Sequence, residues 1–161
     1  MTLGGATTKL ASSAAGKSVW RPRFSYDGAF VYYSAGEYPQ PLDVFRVAAD
    51  GSSGVPVQAS PVGLPGRNRN WSGSPSPDGT LLTFIEAGGV LHVYSMVTKV
   101  DWRSTVAADA PRFSPDGTWI SFIDPSSLTL RIMHPDGTGL RQITADGLAA
   151  FGMHDWSPGG A

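Results

Sequence analysis

Two columns of apolar and aromatic residues recur three times along the chain. The first column begins two residues after a glycine, with Phe30, Leu81 and Trp119 as its first members. The second begins 12 to 14 residues after the same glycine and reads LDVF, LHVY and LRIM in the three copies. β-Branched and aromatic residues dominate both columns, and apolar and polar positions alternate at the start of the second. The pattern predicts two β-strands in each copy.

A turn precedes the first column in every copy. It reads Ser-Tyr-Asp-Gly at 25–28 and Ser-Pro-Asp-Gly at 76–79 and 114–117, with a weaker Ser-Pro-Gly-Gly at 157–160. Pro presets φ, Asp bonds nearby amides and Gly accepts a positive φ, so the tetrapeptide suits a type I turn that leads into a hairpin. The three aspartates are 51 and 38 residues apart. Such spacing is in or near the ~20–50 residues typical of solenoids and propellers.

Each unit is predicted to contain four strands, a to d. In the third unit they fall near residues 111–114, 119–123, 130–133 and 140–144. A second Asp-Gly turn separates strands c and d in the first and third units, whereas the second unit has Thr98-Lys99 there. Four short antiparallel strands per repeat form a propeller blade. The predicted fold class is therefore all-β, made of four-stranded antiparallel meanders.

The third unit reads PRFSPDGTWISF over 111–122 and LRIMHPDGTGLRQIT over 130–144. These segments resemble the two halves of the WD-like repeat of TolB-type β-propellers. The Gly-His and Trp-Asp signatures of true WD repeats are missing, which favours the TolB type. The resemblance extends over about residues 20–160 and implies a β-propeller, a fold that carries binding functions in some relatives and enzymatic ones in others.

The predicted organisation is one of three blades with additional segments at both ends. Its parts are an N-terminal segment 1–19 containing a d-like strand at 8–11, blade 1 at 20–60, an inter-blade loop at 61–71, blade 2 at 72–108, blade 3 at 109–146, and the start of a further blade at 147–161, with an a-like strand at 153–157. Propellers typically have ~4–8 blades, so three blades do not close a ring. Either the chain is a piece of a longer propeller, which the surplus strands favour, or copies self-associate to complete one.

Composition excludes several classes of protein. The chain has no cysteine, which excludes disulfides, thiolate metal sites and cysteine nucleophiles. Its net charge of −1 does not favour general nucleic-acid or membrane-surface binding. No stretch approaches the ~20 apolar residues of a membrane span, and residues 1–18 show no export signal. The compartment is left open, although the resembled family is often periplasmic or extracytoplasmic.

No catalytic, metal-binding or cofactor residue is predicted. Asp27, Asp78 and Asp116 lie one per unit at the turns, which favours a structural role. The three histidines fall at unrelated repeat positions and lack converging ligand spacing. The glycine-rich stretches match neither a hydrolase nucleophile elbow nor a nucleotide-binding loop.

Binding residues are predicted on the rim formed by the irregular b–c and d–a loops. The candidates combine forked donors with flat aromatic rings, types that are enriched at binding hot spots. They are Tyr38, Arg67, Arg69 and Trp71, with His154 in the last connection. The alternative for Trp71 is packing between blades, with the two loop arginines merely solvated.

A second candidate pair lies on the innermost strands. Arg23 and Arg112 occupy matching positions within Pro-Arg-Phe-Ser. They are predicted either to line a central channel and hold an anionic group bidentately, or to bond backbone carbonyls between blades. Recurrence of the residue in two units favours the structural alternative.

The sequence as a whole favours a non-catalytic module that binds a protein or peptide partner on its rim. The alternative is a propeller portion of a larger enzyme, either a serine peptidase gating domain or a lyase, with its catalytic residues outside this chain. A third reading is an extracytoplasmic sensor or envelope partner. All three depend on the family resemblance, because propellers carry many unrelated activities.

Overall fold

A computed structural model describes residues 10, 18–37, 42–52, 55–61, 73–86, 88–145 and 154–157. Twelve β-strands account for the regular structure of these residues, among which no helix is long and apolar enough to cross a membrane. The strands are β1 (Ser18–Phe24), β2 (Phe30–Gly36), β3 (Asp43–Ala48), β4 (Val57–Gln58), β5 (Ser74–Pro75), β6 (Leu81–Ile85), β7 (Val90–Ser95), β8 (Asp101–Ala107), β9 (Asp109–Phe113), β10 (Ile120–Asp124), β11 (Thr129–Met133) and β12 (Arg141–Gln142).

The strands form three separate four-stranded sheets. Their orders are β1-β2-β3-β4, β5-β6-β7-β8 and β9-β10-β11-β12, and every neighbouring pair is antiparallel. Within each sheet, every strand therefore pairs with the next strand of the chain, as in a meander. This arrangement confirms the predicted all-β fold of four-stranded antiparallel units. The d strand predicted over 140–144 in the third unit is shorter, since β12 has two residues.

The Ser-x-Asp-Gly turns hold the start of each sheet through one repeated set of hydrogen bonds. In the third turn, Ser114 Oγ donates to Asp116 Oδ1 at 2.5 Å and accepts from Trp119 N at 2.9 Å. Asp116 Oδ1 also accepts from Thr118 N at 3.0 Å. The first two turns repeat these contacts. The aspartates are thus engaged within their own turns, as the pattern predicted.

The core lies between the sheets. One apolar cluster joins the first and second sheets and contains Tyr32, Val44, Ala59, Leu82, Phe84 and Tyr94. Another joins the second and third and contains Ile85, Leu91, Val93, Ala108, Phe113, Ile120, Phe122 and Met133. The second sheet is consequently packed on both faces, which explains why so few residues of β6 and β7 are polar.

The second sheet also contains a buried ionic network centred on His92. Its Nε2 lies 2.9 Å from Glu86 Oε2, and its Nδ1 lies 2.9 Å from Asp101 Oδ2. The imidazole stacks on Phe84 at a centroid distance of 4.8 Å. Each ring nitrogen thus lies within hydrogen-bonding distance of one carboxyl group. The network ties β7 to β8 and to the residue that follows β6.

Candidate functional site

The innermost strands β1 and β9 carry the same backbone irregularity. Arg21 and Ala110 adopt positive φ values of 49° and 50°, and the pairing of each strand shifts by one residue there. A proline follows in both cases and is tolerated because β1 and β9 are edge strands of their sheets. A bulge of this kind redirects the next side chains. It sets the positions of Arg23 and Arg112, which come directly after the prolines.

The inner strands meet at a cleft of about 290 Å³. Four residues that line it, Arg23, Ser74, Arg112 and Asp155, occupy one repeat position, two residues before the turn serine. The repeat therefore supplies one side chain from each unit and from the last segment. The remaining lining residues are Phe24, Ser25, Tyr26 and Pro75.

The cleft has more positive than negative charge. Arg112 Nη1 lies 3.0 Å from Asp155 Oδ1; the Arg112 side chain is 14% exposed and that of Asp155 is 78% exposed. Arg112 Nε is buried and has no hydrogen-bond partner among the described residues. Arg23 is half-buried and forms no ion pair within the described part of the chain. Two guanidinium groups thus face one carboxylate.

At neutral pH the excess of positive charge in the cleft persists, because the ionisable groups next to the ion pair keep their charge states. Burial, followed by the charge of Arg112, lowers the pKa of Arg23 to about 10, so the guanidinium remains charged. Burial and the same arginine lower the pKa of His154 to about 4, which makes this imidazole neutral. Burial, with Asp155 nearby, raises the pKa of the Tyr26 phenol, which stays protonated.

Contacts between units fix the walls of the cleft. The Tyr26 hydroxyl donates to the carbonyl oxygen of Phe113, and the Phe113 amide donates to Ser74 Oγ at 3.3 Å. Trp156 Nε1 donates to the carbonyl oxygen of Arg112 at 3.3 Å. The first, second and third units and the last described segment are joined at this point, so the cleft is preorganised.

A serine–histidine pair lies beside the cleft. His154 Nε2 is 2.8 Å from Ser121 Oγ, and this hydroxyl is also 3.4 Å from the carbonyl oxygen of Arg112. Such a pair is the start of a nucleophilic site. Here, however, Ser121 is buried beneath the imidazole and directed to the main chain. The contact anchors residue 154 to β10 and holds the last segment against the third sheet.

The predicted inner-strand residues come together, and the predicted rim residues are not described. Arg23 and Arg112 line one cleft and His154 lies next to it. The rim candidates Tyr38, Arg67, Arg69 and Trp71 lie outside the described residues, and so does the d-like strand at 8–11 apart from Leu10. Residues 154–157, within the predicted a-like strand, have no strand structure.

Two cleft residues escaped the sequence analysis. Asp155 could have been found by counting two residues back from the turn serine of the weak fourth copy, Ser157. Tyr26 stands where the next two turns have Pro77 and Pro115. The replacement of the turn proline by Tyr26 was therefore the sequence signal that this side chain contacts another unit.

The three sheets are blades of a β-propeller, which is the class of protein that the fold defines. The chain is similar to a putative TolB from Agrobacterium tumefaciens, with a TM-score of 0.61 and 23% identity over 78% of this chain and 46% of that one. The predicted TolB-like propeller is thus confirmed as a fold.

Other propellers show the same likeness. An oligogalacturonate lyase from Vibrio parahaemolyticus has a TM-score of 0.54 and 16% identity over 74% of this chain and 35% of its own. A chain in a nidogen/laminin complex has a TM-score of 0.61 and 15% identity, with coverages of 83% and 51%. The chain thus spans about half or less of the length of these structures. No protein-family model and no curated protein matches it.

Proposed function

We propose that the chain is a non-catalytic binding module that recognises an acidic segment of a protein or peptide partner at the cleft between its inner strands. One observation carries the proposal: two arginines from different blades converge on one preorganised cleft with a single facing carboxylate. Guanidinium groups hold carboxylates through paired, charge-assisted hydrogen bonds. A concave site that concentrates charge of one sign attracts such groups more strongly than an exposed surface does.

The residues around the arginines suit a peptide. Phe24 and Tyr26 are 68% and 46% exposed at the margin of the cleft. Aromatic side chains beside arginines are the usual anchors of protein interfaces. The propeller in the nidogen/laminin complex also supports a protein partner for this fold. Recognition by the rim residues Tyr38, Arg67, Arg69 and Trp71 remains a separate prediction.

A peptide titration tests the proposal. We expect hexaglutamate, but not hexaglutamine, to bind the chain in isothermal titration calorimetry, with an affinity that falls as salt is added. Arg23→Gln is expected to weaken hexaglutamate binding by about tenfold, since it removes one charge-assisted contact. Arg131→Gln is the matched control, because Arg131 pairs with Asp124 at 3.2 Å within the third sheet. Equal affinities for the two peptides, or equal losses in the two variants, would overturn the proposal.

The rim residues have their own test. Arg69→Ala and Trp71→Ala are expected to weaken hexaglutamate binding if these loop residues also contact the acidic partner. Unchanged affinity in both variants, each still folded, would remove these residues from the site and leave the cleft assignment intact.

A second candidate function is that of a propeller portion of a larger enzyme. The similarity to an oligogalacturonate lyase, of which the chain covers 35%, favours it. Both candidates predict that this chain alone is inactive, because the second places the catalytic residues outside it. They differ in the flanking gene sequence, where the second predicts a catalytic domain. Incubation with oligogalacturonate is expected to give no unsaturated product by ultraviolet absorbance. Turnover that persists in repurified chain would contradict the non-catalytic assignment.

A further inference from the structure

Arg112 already holds a carboxylate in the structure, and the two partners are very unequal. The guanidinium is mostly buried, whereas Asp155 is largely in solvent, although they are only 3.0 Å apart. An ion pair with one exposed partner is weak, because water competes for the exposed charge. The carboxylate of Asp155 is therefore the more easily replaced member of the pair.

The main chain on both sides of Asp155 is fixed. His154 bonds Ser121, and Trp156 Nε1 bonds the carbonyl oxygen of Arg112. The side chain of Asp155 can consequently turn away from Arg112 by rotation about its own bonds, without displacing the segment. Its departure costs one exposed ion pair and the hydrogen bond that Asp155 Oδ1 accepts from the exposed Trp156 amide at 3.1 Å, and it returns the carboxylate to water.

The cleft can satisfy more than one carboxylate oxygen. A guanidinium carries five N–H donors, and Asp155 occupies only one nitrogen of Arg112. Arg112 Nε remains without a partner in the described part of the chain, and Arg112 lies close enough to Arg23 to lower the pKa of Arg23. A carboxylate placed between them would meet donors from both blades.

We propose that Asp155 is an internal competitor: a carboxylate of the acidic partner replaces it on Arg112 and also pairs with Arg23. This inference rests on the proposed function and adds an internal residue that controls the affinity for the ligand. The carboxylate contact in the structure is the reason to commit to this class of anion. The ligand is then an Asp or Glu side chain, or a chain terminus, of a protein partner.

The sign of the effect of Asp155 on affinity tests this inference. Asp155→Asn removes the competitor's charge and is expected to tighten hexaglutamate binding about threefold in calorimetry. Asp155→Ser should act in the same direction. Glu37→Gln is the control for net charge, since Glu37 follows β2 at the far end of the first sheet from Phe24. It should leave the affinity unchanged.

The remaining outcomes separate this inference from the proposed function. Unchanged or weaker binding in both Asp155 variants, with binding still lost in Arg23→Gln, would overturn the competitor role and leave the proposed function standing. Absence of hexaglutamate binding to the wild type and to Asp155→Asn would overturn both. Inorganic phosphate can be added at a concentration equal to that of the glutamate carboxylates of the peptide. Displacement of hexaglutamate under this condition would overturn the assignment to carboxylates.

Discussion

The turn serine and aspartate show how one side chain fixes the start of a strand. Ser114 is fully buried and is bonded to Asp116 and Trp119, so its hydroxyl has partners as donor and as acceptor. These bonds stabilise the ionised form of the carboxylate. The hydroxyl of Ser114 and then the amide of Thr118 lower the pKa of Asp116 from 3.8 to about 2.

Acid stability is expected to depend on this turn. Because the pKa of Asp116 is lower in the folded chain than in the unfolded one, its contribution is fully present above about pH 4 and is lost as the pH falls towards 2. Asp116→Asn should lower stability at pH 7 and reduce the loss between pH 4 and pH 2. Urea unfolding midpoints at these three pH values provide the measurement. Parallel pH profiles for the two proteins would contradict the role given to Asp116.

Substitutions at two turn glycines can distinguish the cost of backbone strain from the cost of steric overlap. Gly137 has φ +85°, and a β-carbon there would overlap the indole of Trp102. Gly79 has φ +70° with open space around it. We expect Gly79→Ala to cost about 1 kcal/mol through strain alone and Gly137→Ala to cost about 1–3 kcal/mol more through overpacking. Urea unfolding of both variants measures the difference in the free energy of unfolding. Equal losses would show that Trp102 or the turn moves to accommodate the added methyl group.

At the scale of the strand, local pattern determined most of what could be predicted. The apolar columns and the turns specify strands through neighbouring residues alone, so the meanders were predictable. The bulges at Arg21 and Ala110 were not, because an Arg or Ala before proline is compatible with an ordinary strand. The contacts of His92 also depend on the register of β6, β7 and β8, which the sequence pattern does not contain.

The network around His92 is expected to hold the second sheet together. His92→Ala opens a cavity and removes one partner of Glu86 and Asp101, and Arg103 remains 3.5 Å from Glu86 Oε2 and 3.9 Å from Asp101 Oδ2. The loss should be about 1–3 kcal/mol. A double-mutant cycle with Glu86→Gln, read by urea unfolding, should give a coupling energy of about 1 kcal/mol or more. Strictly additive losses would indicate that the carboxylate and the imidazole do not interact energetically.

At the scale of the whole molecule, one repeat position has two environments. Phe113 is fully buried in the core between the second and third sheets, whereas Phe24, at the same repeat position of the first unit, is 68% exposed. We expect Phe113→Ala to cost about 3–5 kcal/mol and Phe24→Ala to cost less than about 1 kcal/mol. Thermal unfolding compares the two variants, and similar losses would mean that the first sheet has a partner covering Phe24.

The candidate site was predictable only as far as the repeat is regular. Arg23 and Arg112 could be found because the same motif places both on inner strands. Asp155 was harder to find, since the fourth turn has Gly159 instead of an acidic residue and only its serine, Ser157, gives the alignment. Which units converge on the cleft depends on the packing of whole sheets, and no local pattern encodes it.

Self-association that completes a ring remains a prediction at this scale. Light scattering after gel filtration gives the mass of the chain in solution. A dimer mass that is independent of concentration would support assembly from identical halves. A monomer over the same range would contradict it.

A binding site in the cleft requires that Arg23 and Arg112 meet the same ligand. Nitrogen-15 labelling of the arginines allows each Nε–H resonance to be followed by NMR while hexaglutamate is added. We predict that the resonances of Arg23 and Arg112 shift together with a single dissociation constant, while that of Arg131, also buried at Nε but paired with Asp124, does not move. Shifts spread evenly over all arginines, or absent from Arg23 and Arg112, would contradict a binding site in the cleft.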